Sequence, residues 1–183
     1  LTASGAIAQE RAMDFDLVNW DGKSVSLSTL NEKVVVLTFS YSYCSARCPI
    51  ITGRLNTLDQ SLGSPPDVVY LHVSVDPEMD SENMRESYFS LYGIDPEKDN
   101  RWLFVSGEKR KLENMWKHYK VKIRKIPDTN IPEGYYIEYS PIVLLIDKQG
   151  NISEDIGFFF SEDEATRKIH RLRKGSFGQK RVS

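Results

Sequence analysis

Two residues carry the chemistry of this sequence: Cys44 and Cys48, the only cysteines among 183 residues. A single pair excludes a multi-bridge disulfide scaffold and a four-thiolate zinc site, so whatever these sulfurs do, they do together. Residues four apart share one helical face, where two sulfurs can close a disulfide or hold one ion between them. The intervening Ser45-Ala46-Arg47 and the following Pro49 place the pair at a helix start. There, unpaired backbone N–H groups and the positive end of the helix dipole favour thiolate over thiol. Cys44 is the better placed of the two, with Arg47 adding positive charge. Cys48, with Pro49 expected at the first helical position, sits one turn in and is more buried. Cys44 is then the attacking sulfur and Cys48 the resolving one. Dithiol exchange and two-thiolate metal binding are both open to such a pair; an inert staple is the alternative.

The elements that must hold this pair follow from hydrophobic patterning. Val34 to Tyr41 is a nearly continuous apolar run, the pattern of a strand buried on both faces. Ile50, Ile51, Leu55, Leu58 and Leu62 then take helical spacing up to Gly63, so the cysteines lie where a central strand hands over to a helix. Before them, Met13 to Leu30 reads as a hairpin turning at Asp21-Gly22, at a sheet edge. After them come a buried strand (Asp67 to Val75), a helix (Asp80 to Tyr92, stopped by Gly93), a short strand (Trp102 to Val105) and an amphipathic helix (Lys109 to Tyr119). Val121 to Lys125 and Tyr135 to Tyr139 read as hairpin arms around the loop Pro127 to Glu133. Ile142 to Asp147, a turn at Lys148 to Asn151, a partner strand and a helix from about Ser161 to Leu172 complete the chain. Strands alternating with helices and ending in a hairpin predict an α/β fold: a central mixed sheet flanked by helices, with an added N-terminal β-hairpin.

Composition narrows the partners. The 24 Lys+Arg against 26 Asp+Glu leave a net charge of −2, so no global basic field attracts nucleic acid or an acidic membrane surface. No apolar run approaches the roughly 18 residues of a membrane span. The chain starts at Leu1 without an initiator Met, and the expectation is an upstream signal or anchor removed by processing. Residues 1–12 are expected to form a tether, 13–173 the domain and 174–183 a flexible basic tail. Of the three histidines, His72 is expected in the core, His118 on the surface and His170 near a helix C-terminus. Asp76 ends its strand on the side where open sheets build sites. It is a candidate proton acceptor or an orienter of Cys48, or else it begins a turn with Pro77. Tyr41, Tyr43, Tyr135, Tyr136 and Tyr139 are candidates for an aromatic rim.

Phe39-Ser40-Tyr41-Ser42-Tyr43-Cys44-Ser45-Ala46-Arg47-Cys48-Pro49 resembles the signature of the Sco/SenC proteins, and Val73 to Asp80, Trp102 to Val121 and Leu144 to Gly150 resemble further segments of that family. The resemblance covers about Met13 to Leu172. It implies a thioredoxin-like fold and a role in copper delivery and disulfide reduction during cytochrome c oxidase assembly. The implied client is a protein with a dithiol/disulfide copper site, a cytochrome c oxidase subunit foremost, served by an upstream thioredoxin-like reductant. The implied location is the periplasm or an equivalent extracytoplasmic face, on an N-terminal membrane anchor. The resemblance also implies copper bound by Cys44, Cys48 and a histidine before the closing hairpin, and here the aligned residue is Tyr139. Two soft thiolates suit Cu(I) by themselves, whereas Cu(II) wants a nitrogen donor that a neutral phenol replaces poorly. Pro141 stands where thioredoxin-like oxidoreductases place a cis-Pro facing their cysteines; a trans Pro beginning an edge strand is the alternative. Three activities follow: a thiol–disulfide oxidoreductase; a copper chaperone holding Cu(I) on the two cysteines, completed by His72, Met79 or a partner's ligand; and, less suited to paired sulfurs, a thiol peroxidase.

Overall fold

The computed structural model describes residues 10–175. The core of its main sheet is three parallel strands: β3 (Val34–Ser40), β4 (Val68–Ser74) and β5 (Trp102–Ser106). β3 and β4 are buried at every residue, which requires cover on both faces and accounts for their lack of polar alternation. The N-terminal hairpin, β1 (Leu17–Asn19) and β2 (Ser24–Val25), extends the sheet antiparallel beyond β5. β8 (Val143–Ile146) and β9 (Ile152–Asp155) extend it antiparallel beyond β3. The resulting order is β2-β1-β5-β4-β3-β8-β9. A separate hairpin, β6 (Ile123–Pro127) with β7 (Tyr135–Tyr139), forms a second, two-stranded sheet.

Helix α1 (Arg47–Leu62) buries Cys48, Ile51, Leu55, Leu58 and Leu62 along one stripe, and ends on Gly63 in the left-handed region (φ 74°) with its N–H returned to Asp59 and Gln60 carbonyls. That is the conformation glycine adopts without a Cβ penalty. α2 (Glu82–Ser90) is capped by Ser81, whose hydroxyl accepts from the Met84 N–H; α4 (Glu162–Arg173) is capped in the same way by Ser161. α3 (Lys109–His118) turns Leu112 and Met115 inward. As the sequence predicts, α1 starts where β3 ends. Pro49, however, is the third helical residue and not the first, still within the turn whose N–H groups have no helical partner.

Two domain expectations meet the structure. Residues 10–12 are docked: the Ala12 N–H donates to the Gly150 carbonyl (3.0 Å) and the Ile152 N–H to the Glu10 carbonyl (2.7 Å), so this end of the expected tether is part of the fold. The rest of the tether and nearly all of the basic tail lie outside the described residues. His72 is fully buried among Tyr88, Phe89, Trp102 and Phe104, with its Nδ1 3.0 Å from the Ser40 hydroxyl. Burial pushes its pKa down to about 3, so it packs as a neutral ring. His118 and His170 are exposed.

Candidate functional site

The loop from Tyr41 to Ala46 carries Cys44 across the mouth of α1. Ala46 occupies the N-cap position without a side-chain acceptor, and sulfur fills that role: the Cys48 backbone N–H donates to Cys44 Sγ at 3.3 Å. The Cys48 thiol, the Ala46 N–H and the Tyr41 hydroxyl also donate to it, and these bonds outweigh burial and pull the Cys44 thiol down to about 6. A thiolate with several donors is favoured over the thiol. Cys48 is pushed the opposite way, well above the ordinary thiol range, first by burial and then by its negative neighbour. Both cysteines are free, buried thiols, Cys44 7% exposed and Cys48 0%, and of the two only Cys44 lines the neighbouring cleft. Alkylation of the reduced protein is therefore expected to modify Cys44 first, with a rate that rises through a midpoint near pH 6. Mass mapping of iodoacetamide adducts from pH 4 to 9 checks this, and a Cys44 midpoint at or above 8.5 contradicts it.

β7 closes the site from the other side. Its alternation turns Ile137 and Tyr139 inward and leaves Tyr136 and Glu138 outside. The Tyr139 hydroxyl lies 3.2 Å from Cys48 Sγ, and the Tyr139 carbonyl accepts from Arg47 Nη1 at 2.8 Å. The residue aligned with the implied histidine ligand is thus at the sulfurs, with a phenol in place of an imidazole. Burial and the neighbouring sulfurs push that phenol's pKa up, so it stays neutral, a poor donor to Cu(II). Among the described residues, no group of three His, Cys, Asp or Glu side chains could hold a metal ion. His72 is spent in the core, and Met79 is half-exposed on the turn after β4.

Of the five candidate rim tyrosines, the structure brings Tyr41, Tyr43 and Tyr139 together beside the cysteines, with Tyr41 and Tyr139 buried. Tyr41 stacks edge-on with Tyr43 (5.1 Å between centroids) and with Tyr139 (6.3 Å). Asp76 is a tether: its carboxylate accepts from the hydroxyls of Tyr43 and Tyr135, the latter at 2.9 Å. It thereby ties the cysteine loop to β7, and its carbonyl begins a turn to Met79 and Asp80. The Ser140–Pro141 peptide is trans, as is every described peptide bond, so the cis expectation is corrected. Pro141 precedes β8, an interior strand paired on both sides and not the edge strand of the alternative. A trans bond is also the lower-energy state of an X–Pro peptide.

Asp80 is the residue that sequence reasoning missed. Assigned only to the start of a helix, it is buried, and accepts from the Ser42 N–H (2.7 Å), the Ser42 hydroxyl (2.6 Å) and the Ser74 hydroxyl (2.5 Å). It pins the loop two residues before Cys44 to the end of β4. Burial outweighs these bonds and raises its pKa to about 6. The only signal in sequence was a third acidic residue in Asp76-Pro77-Glu78-Met79-Asp80.

The chain is similar to known proteins. SCO2, mitochondrial, of Saccharomyces cerevisiae is 24% identical over 157 residues, which is 85% of this chain and 50% of that protein; the chain spans about half the length of that relative. The structure of ScoI of Bradyrhizobium japonicum with copper bound superposes with a TM-score of 0.77 at 23% identity, covering 88% of this chain and 99% of that one. BsSco superposes with a TM-score of 0.74 at 22% identity, covering 92% and 96%. Its structure is described as identifying a disulfide switch in a member of the Sco family of cytochrome c oxidase assembly proteins. These likenesses establish the thioredoxin-like fold of the Sco proteins. The pattern of the SCO1/SenC family matches residues 4–174, from before the first docked residues to the end of α4, and with that span the chain belongs to the SCO1/SenC family.

Proposed function

We propose that the protein is a thiol–disulfide oxidoreductase of Sco type that prepares a copper site during cytochrome c oxidase assembly. The observation that carries this reading is the split between the two sulfurs: Cys44 held as a thiolate at the helix mouth, Cys48 buried and protonated behind it. The Cys44 thiolate attacks one sulfur of a client disulfide, forming a mixed disulfide and releasing the client's other sulfur as a thiolate. Cys48 then loses its proton and attacks Cys44 Sγ. The Cys44–Cys48 disulfide forms, the client leaves as a dithiol, and two electrons have moved. Asp76 acts by holding Tyr43 and Tyr135, and Pro141 by leading the chain from β7 into β8. An upstream thioredoxin-like reductant restores the dithiol.

The second reading is a chaperone that carries Cu(I) as cargo. Its support is the donor set: two soft sulfurs at a buried site suit Cu(I), and the absence of a third described ligand suits a cargo that must be handed on. In either role the client is a dithiol copper site, a cytochrome c oxidase subunit foremost. Membership of the SCO1/SenC family, together with the likeness to a SCO1/SenC family lipoprotein, supports the periplasm or its equivalent and an N-terminal membrane anchor.

The test is anaerobic reaction of the reduced protein with excess neutral small disulfide. The expected result is loss of both protein thiols, with a mass decrease of about two hydrogens on forming the internal disulfide. An unchanged thiol count removes the oxidoreductase reading and leaves the chaperone.

A further inference from the structure

The open side of Cys44 faces a trough. A cleft of about 220 Å³, lined by Tyr41, Cys44, Arg47 and the outer half of β7, continues through shared Arg47, Glu138 and Tyr139 into a second of about 440 Å³ that adds Lys122 and Arg124. Its charges do not balance. Glu138 is taken by Arg124, whose Nε donates to it at 3.0 Å. Arg47 and Lys122 enter no salt bridge among the described residues, although the chain as a whole has a net charge of −2. Arg47 is held in place by its bond to the Tyr139 carbonyl, so its cationic fork is presented at the lip of the nucleophile.

We propose that this trough docks an acidic stretch of the client polypeptide, lying beside the cysteine that Cys44 attacks; the inference rests on the disulfide-exchange reading. Arg47 suits a carboxylate by its planar fork, and Lys122 supplies a second point charge further along. Exposed Tyr136 and half-buried Ile123 on the hairpin give the backbone of such a segment apolar contact. The Cys44 thiolate alone would repel an acidic substrate, so a preference for one must come from the trough. Two cations of the trough outside any salt bridge steer an anionic partner at low salt and lose that effect as added salt shortens the screening length, to about 8 Å at 0.15 M.

The experiment compares three substrates: two peptide disulfides of equal length, flanked by Asp or by Lys, and a neutral small disulfide. Each is reduced by the wild type and by Lys122→Glu/Arg124→Gln. The wild type is expected to reduce the acidic peptide about 5- to 10-fold faster than the basic one at roughly 20 mM ionic strength, with the ratio approaching one at about 0.5 M. The double variant should lose or reverse the preference while keeping the neutral rate. Equal rates for the two peptides at low salt, with the neutral disulfide still reduced, overturn the docking proposal and leave the exchange reading standing. Failure to reduce any of the three removes both.

Discussion

Cys48→Ser accumulates a mixed disulfide with its client, whereas Cys44→Ser loses exchange by about 100-fold or more at pH 7. The magnitude follows from thiolate fractions. A thiol at about 6 is roughly 90% ionised at pH 7, whereas one above 9 is ionised to about 1% or less. In Cys44→Ser the repulsive neighbour of Cys48 is gone, yet burial, the larger cause of its raised pKa, remains, and the sulfur is still out of reach of solvent. In Cys48→Ser the hydroxyl can still donate to Cys44 Sγ, and the backbone N–H groups of the helix mouth are untouched, so the attacking thiolate survives. Only the second step is lost, because serine at this pH does not displace a client sulfur. Non-reducing electrophoresis with a disulfide-bearing copper-site domain reads the adduct, and dithiothreitol should release it. A client trapped equally by both variants, or by neither, contradicts the assigned order of attack.

What the sequence disclosed about this site is what is local in the chain. The i, i+4 spacing of the cysteines, the apolar run of β3 and the stripe of α1 lie within one stretch of about 30 residues, and each has a period that can be read directly. The N-terminal hairpin was equally legible from Asp21-Gly22, and the structure puts it at the sheet edge as expected. What was hidden is long-range. Asp80 reaches Ser42 across 38 residues and Asp76 reaches Tyr135 across 59. No periodicity reports which carboxylate at a strand end points back toward a loop. Asp80 also looked like a helix cap because a capping Asp and a buried Asp read alike beside a capping Ser. The contact of Tyr139 with Cys48 spans 91 residues, and only the family resemblance, not any local pattern, drew attention to that position.

Tyr139→His is expected to convert the site into one that binds Cu(II) at one equivalent, about 100-fold or more tighter than wild type. Even partners outside the coordination shell typically change metal affinity 10- to 100-fold, and this substitution adds a direct donor. The backbone at this position is anchored independently of the side chain, by Arg47 to the Tyr139 carbonyl and by the pairing of Tyr139 with Ile123 in the hairpin. The imidazole therefore enters from the same point as the phenol. It reaches less far, and the space vacated by the hydroxyl, beside Cys48 Sγ, is where an ion shared with two sulfurs must sit. A nitrogen and two thiolates form the mixed donor set that Cu(II) prefers, while Cu(I), satisfied by soft sulfur, should gain much less. Tyr139→Phe separates the two effects: it removes the hydroxyl and opens similar space but supplies no donor, so it should leave Cu(II) binding weak. Competitive titration of the reduced proteins under anaerobic conditions reads the affinities, and thiolate-to-copper absorption identifies the ligands. Should the wild type already hold Cu(II) as tightly as the histidine variant, the neutral phenol is not what limits the site. The chaperone reading then displaces the oxidoreductase, with the missing donor supplied by a residue outside the three-ligand arrangement.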